Sequence, residues 1–196
     1  MIDYIKGQIV ELTPTELVLE NNGIGYSILL SLQSFEAFQG KSQVTAYIHH
    51  YLREDEELYF GFATKDEREL FRLLIGVSGI GVASARMMLS SLTAEEIRQA
   101  ILAEDVHRIK SVKGIGLKSA QRLILELKDK IGKGEGAASG TLPLMAPNNA
   151  LIDEATTALV MLGFSKANVS KVLPAILKEN PTAKVEDLIK AALKRL

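Results

Sequence analysis

The chain repeats itself once, and the repeat decides what its middle can become. Val77-Ser78-Gly79-Ile80-Gly81-Val82-Ala83-Ser84-Ala85 and Val112-Lys113-Gly114-Ile115-Gly116-Leu117-Lys118-Ser119-Ala120 share the pattern V-x-G-I-G-x-x-S-A at an offset of 35 residues. A helical pattern precedes each copy and a longer one follows it. Two glycines let the main chain turn tightly and come close to a ligand, while Ile80 or Ile115 pins the turn to a core. The next helix then opens with free N–H groups and the positive end of its dipole. Backbone presented in this way suits an anion, and the arrangement is that of a helix-hairpin-helix that grips a nucleic-acid backbone. Such contacts read phosphate rather than base edges, so they predict affinity without sequence preference. A lone G-I-G is equally well explained as a structural turn. The second copy favours the phosphate reading, since it again has alanine four residues past the last glycine, where two helices pack closely.

Neither copy is a nucleotide-binding P-loop, which needs glycine directly before Lys-Ser/Thr; here Leu117 precedes Lys118-Ser119. Gly40-Lys41-Ser42 has Phe35 where that motif needs its earlier glycine. ATP hydrolysis, catalytic residues and cofactors are therefore not expected. The 196 residues include no cysteine, which excludes disulfides, thiolate metal sites and cysteine nucleophiles. The N-terminus, Met1-Ile2-Asp3-Tyr4-Ile5-Lys6, lacks a signal-peptide layout, and no apolar run approaches the ~20 residues of a membrane span. A cytoplasmic protein is the expectation.

A net charge of −1 looks wrong for a chain that grips phosphate, but it averages unlike parts. Residues 1–62 carry 9 acidic side chains against 3 basic, whereas residues 63–131 carry 12 basic against 9 acidic. The basic excess falls where the hairpins are.

The organisation reads as α+β and multi-domain. In residues 1–63, five strand patterns cover Ile2 to Leu12, Leu17 to Leu19, Tyr26 to Leu32, Val44 to Leu52 and Leu58 to Phe62, with a turn at Asn21-Asn22-Gly23. A Ser/Gln/Gly-punctuated stretch, Ser31 to Ser42, separates the third from the fourth. Five short strands fit a small closed barrel of the oligonucleotide-binding (OB) type, although a sandwich or SH3-like barrel gives much the same pattern. Residues 64–131 turn helical, with patterns near 65–75, 82–90, 94–103, 105–110 and 117–130. Thr64-x-x-Glu67 and Thr93-x-x-Glu96 read as capping boxes. Residues 132–149, beginning Gly-Lys-Gly-Glu-Gly, have no amphipathic period and read as a flexible linker. Residues 150–196 show three helical patterns near 150–162, 166–178 and 185–195, a small bundle suited to docking, with Pro174 expected to kink the second.

Between the fourth and fifth strands stands Arg53-Glu54-Asp55-Glu56-Glu57. Four carboxylates at a hairpin tip are ordinarily a solvated turn. Beside a phosphate clamp they take on another meaning, because carboxylates held against DNA repel its backbone and favour separating strands.

Together these parts resemble one family. The order is a barrel with an R-E-D tip followed by Leu58-Tyr59-Phe60-Gly61-Phe62, tandem G-I-G hairpins, a Gly-rich tether and a small helical domain. It is similar, end to end, to the RuvA family, the Holliday-junction recognition subunits of the bacterial branch-migration complex. The resemblance implies a homotetramer, or two stacked, cradling a four-way junction. It implies that Glu54 and Asp55 form an acidic pin near the junction centre with Arg53 beside it. The amides around Gly79, Ile80, Gly81, Gly114, Ile115 and Gly116 would hold the arms, and Lys118 and Arg122 would add charge. The C-terminal domain would dock a RuvB-type hexameric ATPase, and a junction resolvase is a further implied partner. One departure stands out: family hairpins often carry a basic residue just after the glycines, but the first hairpin here has Val82-Ala83, with Arg86 more distant.

Other residues read more plainly. His49 and His50 are adjacent on a strand and face opposite sides, so no metal pair is expected. Tyr47 and Tyr51 share a face that suits core or interface more than base stacking. Met161-Leu162-Gly163-Phe164 resembles the first loop of ubiquitin-associated bundles, which would make Leu162, Gly163 and Phe164 partner contacts; a glycine-capped helix end is the alternative. The competing function is a base-excision glycosylase and lyase with Lys118 as nucleophile. It lacks cluster cysteines, and its required aspartate has only Asp129, too near the hairpin, to supply it.

Overall fold

The computed structural model describes residues 1–132, 147–180 and 183–196. Its elements run β1 (Tyr4–Leu12), β2 (Glu16–Asn21), β3 (Ile24–Leu30), α1 (Leu32–Phe38), β4 (Gln43–Leu52) and β5 (Glu57–Phe62). Then come α2 (Lys65–Ile75), α3 (Val82–Ser91), α4 (Ala94–Leu102), α5 (Val106–Lys110), α6 (Leu117–Gly132), α7 (Pro147–Met161), α8 (Lys166–Glu179) and α9 (Val185–Leu193).

The strands alternate inward apolar and outward polar residues, and they close into a barrel in the order β1-β2-β3-β5-β4. Leu17, Leu19, Ile28, Leu30, Ala46 and Ile48 fill its interior. The β3–β5 pairing is parallel and short, Leu29 with Phe60 and Leu30 with Gly61. With a helix between β3 and β4, this is the OB arrangement and not a sandwich. The helix is α1, which the punctuated stretch did not announce. Its signal was local: Ser31 caps it by accepting from the Ser34 N–H, and Phe38 anchors it in the barrel core.

A second core, distinct from the barrel's own, joins β5 to the hairpin helices. Phe60 and Phe62 of β5 lie in the same buried cluster as Leu70, Phe71 and Leu74 of α2 and the packed faces of α3, α4 and α6. Phe71 stands 4.9 Å from Phe62 and 5.3 Å from both Phe60 and His49, ring centre to ring centre. Arg68 crosses the same seam, donating to the Asp3 carboxylate at 2.6 Å and to the Asp3 carbonyl at 2.7 Å. Accordingly residues from Met1 through α6 form one compact unit, and a second begins beyond it.

The two expected capping boxes part company. At Thr93 the box is complete, with Glu96 reaching back to the Thr93 N–H at 2.8 Å. At Thr64 only half forms: the hydroxyl accepts from the Glu67 N–H, but the Glu67 carboxylate turns inward. There it accepts from the Ser31 and Ser34 hydroxyls at 2.5 and 2.7 Å. Tertiary partners that bury the carboxylate outcompete the local cap.

The linker expected over 132–149 lies largely outside the described residues; at its margins Gly132 closes α6 and Pro147 opens α7. The second unit is α7, α8 and α9 around Ala155, Leu159, Val169, Leu173, Ile176, Leu188 and Ala192. Helix α8 runs through Pro174 to Glu179.

Candidate nucleic-acid interface

The two hairpins repeat in hydrogen bonds as they do in letters. Val77 donates to Leu74, Ile80 to Val77 and Ala85 to Gly81. Thirty-five residues later Val112 donates to Ile109, Ile115 to Val112 and Ala120 to Gly116. Ile80 and Ile115 are buried, while all four glycines are exposed. Gly79 and Gly114 both have φ +90°, a conformation L side chains rarely adopt, so the turn itself demands glycine there. Gly81 and Gly116 are different. Neither has positive φ, and an added β-carbon would meet nothing within 4 Å. Neither a steric nor a backbone requirement of the fold itself calls for glycine at these two positions.

Helix starts in the first unit set the same two positions apart. Ser31, Thr64, Thr93 and Asp105 each offer a side-chain oxygen to the first turn of their helices. The two helices that follow the hairpins do not have this. Gly81 caps α3 without a side-chain bond, and Gly116, just ahead of α6, has no side chain to give. Their first-turn N–H groups stay available to an external acceptor.

Cations gather on the second hairpin. Lys113 and Lys118 are exposed, and Arg122 pairs with Glu126 through its Nε at 3.4 Å. Between the first hairpin loop and the start of α6 lies a cleft of about 410 Å³ lined by Ser78, Gly79, Lys118, Ser119, Gln121 and Arg122. Ser78 and Gln121 are not fixed positions of the motif, and Ser119, which is one, was given no binding role by it; the packing of one hairpin against the other brings the three to one cleft. Arg86 of α3 is half-buried, and its Nη1 is shut away from solvent with no hydrogen-bond partner among the described residues.

In the barrel, the Arg53 N–H closes the β4–β5 turn on the Glu56 carbonyl at 2.8 Å. Glu54, Asp55 and Glu56 are exposed. Arg53 does not neutralise them: its guanidinium lies 5.0 Å over the Tyr51 ring. The fourth carboxylate leaves the tip, since Glu57 starts β5 and binds His50 Nε2 at 2.8 Å and the Tyr59 hydroxyl at 2.9 Å. Tyr51 and Leu58, at the root of the tip, pack on the core that holds the hairpins, so tip and clamps belong to one body.

Comparison with known proteins agrees with this geometry. Residues 1–61 match the family model "RuvA N terminal domain", residues 71–129 "SAM-like Helix-hairpin-helix tandem" and residues 150–196 "RuvA, C-terminal domain". Similar proteins named "Holliday junction branch migration complex subunit RuvA" occur in Bacteroides fragilis, at 51% identity, and Christiangramia forsetii, at 48%. Another, from Porphyromonas gingivalis, is 43% identical; all three alignments cover the whole of both chains. The chain belongs to the RuvA family.

A lyase at Lys118 finds no support. Its cleft is lined by no carboxylate, and Asp129 lies eleven residues along the same helix, about 16 Å away at 1.5 Å per residue. Among the described residues no group of three or more His, Asp or Glu is placed to hold a metal ion, and no helix is long and apolar enough to cross a membrane. His49 stacks near Phe71 while His50 binds Glu57, on opposite faces as alternation requires. Burial, followed by the charge of Arg72, lowers the His49 pKa below its usual 6.5. Tyr47 lies 5.8 Å from both the Lys65 ammonium and the Arg68 guanidinium, at the barrel–helix seam.

The C-terminal loop has a local explanation as well. Gly163, φ +99°, ends α7 in a Schellman turn: the Phe164 N–H reaches Leu159 O at 3.1 Å and the Gly163 N–H reaches Val160 O at 3.0 Å. Phe164 packs inward on the bundle, whereas Val160, Met161 and Leu162 stay exposed.

Proposed function

We propose that this chain is a non-catalytic DNA-binding subunit of a branch-migration complex, one that recognises four-way (Holliday) junctions without regard to sequence. The observation that carries the reading is the pair of uncapped helix starts at Gly81 and Gly116, open to an anion and rigidly tied to an unneutralised acidic tip. Residues 64–131 hold arm backbones through the amides near Gly79, Ile80, Gly81, Gly114, Ile115 and Gly116, with Lys118 and Arg122 supplying charge. Residues 1–63 set Glu54 and Asp55 at the crossing point, where they repel phosphate and keep the centre open, with Arg53 at their base. Four copies related by symmetry surround the junction, as one tetramer or two stacked. Residues 150–196, joined through 132–149, dock a RuvB-type hexameric ATPase that supplies the motor; Leu162 and its neighbours are the contact, with Gly163 shaping the loop and Phe164 anchoring it.

Titration of a four-way junction and of linear duplex built from the same strands tests this. The junction is expected to bind more tightly, and binding of both to weaken steeply with salt as counterions are released. Replacing Glu54 and Asp55 with Gln and Asn is expected to shrink the junction-to-duplex ratio while duplex affinity holds or rises. Equal affinity of the unaltered chain for both DNAs overturns the reading.

A further inference from the structure

Laid over one another at their 35-residue offset, the hairpins match in backbone and differ in charge. Lys113, Lys118 and Arg122 of the second stand where the first has Ser78, Ala83 and Met87. Taken alone, the first hairpin would offer a phosphate its amides and no exposed cation beside its loop, Arg86 being half-buried in α3. It is not alone, however. A β-carbon on Gly79 would lie 3.8 Å from Ser119 Oγ, so the first loop rests against the opening turn of α6. The cleft between them has Ser78 and Gly79 on one side and Lys118, Ser119 and Arg122 on the other. Lys118 and Arg122 are four residues apart and share a helix face. Glu126 engages Arg122 at Nε, at 3.4 Å. Two hydroxyls, two cations and an exposed glycine backbone around one cleft, with no carboxylate in its lining, make a receptor for a single phosphodiester.

We propose that the two hairpins hold the DNA backbone partly through one shared site: the phosphate approached by the Ser78–Gly79 loop is neutralised by Lys118 and Arg122 of the other hairpin. The proposal rests on the DNA-binding reading above and specifies which groups act together. A consequence is that charge restored at position 78 replaces charge lost at position 118. The fold accepts lysine in that turn, since Lys113 occupies the same place in the second copy.

The test is a cycle of full-length variants, Lys118→Ala, Ser78→Lys and the pair, with Ala83→Lys in both backgrounds as a cation on the first hairpin outside the cleft. Junction affinity and its salt slope are measured for each. Lys118→Ala is expected to cost roughly tenfold, the scale of one charged hydrogen bond. Ser78→Lys is expected to recover most of that loss in the Lys118→Ala background and to add markedly less in the parent chain, where Lys118 already neutralises the phosphate, a coupling that only neighbouring sites show. Ala83→Lys should act by the same factor in both backgrounds. An equal gain from Ser78→Lys with and without Lys118 overturns the shared site. The cycle reads on duplex as well as junction, so a parent chain that fails to prefer junctions sinks the broader reading separately, and a chain that binds neither DNA removes both.

Discussion

Glu67 shows how a single side chain ties the two halves of the first unit together. It belongs to α2, yet its carboxylate is buried against the start of α1, where it accepts from Ser31 and Ser34; Ser34 Oγ in turn accepts from the Ala63 N–H at 2.9 Å. Burial raises its pKa above the usual 4.5, opposed by those hydroxyl bonds and by the Ala63 N–H. The folded chain therefore keeps this proton to higher pH than the unfolded chain does. Its contribution to stability is fully present below 4.5 and is lost as pH rises through the folded value. Glu67→Gln is expected to flatten that part of the stability profile, seen as a difference in Tm between variant and parent that grows in the variant's favour from about pH 5 upward. Parallel profiles would show that the two hydroxyls fully compensate the buried charge. The sequence placed Glu67 in a capping box because Thr-x-x-Glu is a local pattern; the buried serines that won it are 36 and 33 residues away.

At the scale of the hairpin, the four glycines divide by purpose, and substitution separates them. Gly79→Ala and Gly114→Ala place a β-carbon at φ +90° and are expected to cost on the order of 1–2 kcal/mol of stability each. Gly81→Ala and Gly116→Ala meet no obstruction and leave the left-handed region unused, so stability is expected to hold or rise slightly. Junction affinity is nonetheless expected to fall, because in the proposed mode of binding the new methyl stands where the sugar-phosphate backbone approaches. Thermal melts beside DNA titrations check both halves; undiminished binding by the Gly116→Ala variant would remove that position from the interface. This element was legible in the sequence because its geometry depends on residues within nine positions of one another. Helix α1 was not, since its seven residues set only buried Phe38 and half-buried Phe35 against the core behind one serine cap, too little periodicity to stand out from a loop.

The whole molecule is two units, and each carries its own core. Deleting residues 147–196 is expected to leave junction affinity within about twofold while abolishing stimulation of the RuvB-type ATPase; lost DNA binding would contradict that division. Solution mass with and without junction tells one tetramer from two. The sequence alone determined the order of parts, the barrel's alternation, the hairpin pair and the acidic turn, since each is written in neighbouring residues by strand period, helix period or turn chemistry. Only the tertiary structure decided that Phe62 and Phe71 weld barrel to hairpins, that Arg53 lies over Tyr51 instead of neutralising the tip, and that Ser78 faces Lys118. Those pairings join residues distant along the chain, and burying apolar surface in a close-packed core selects among them in a way no local pattern records.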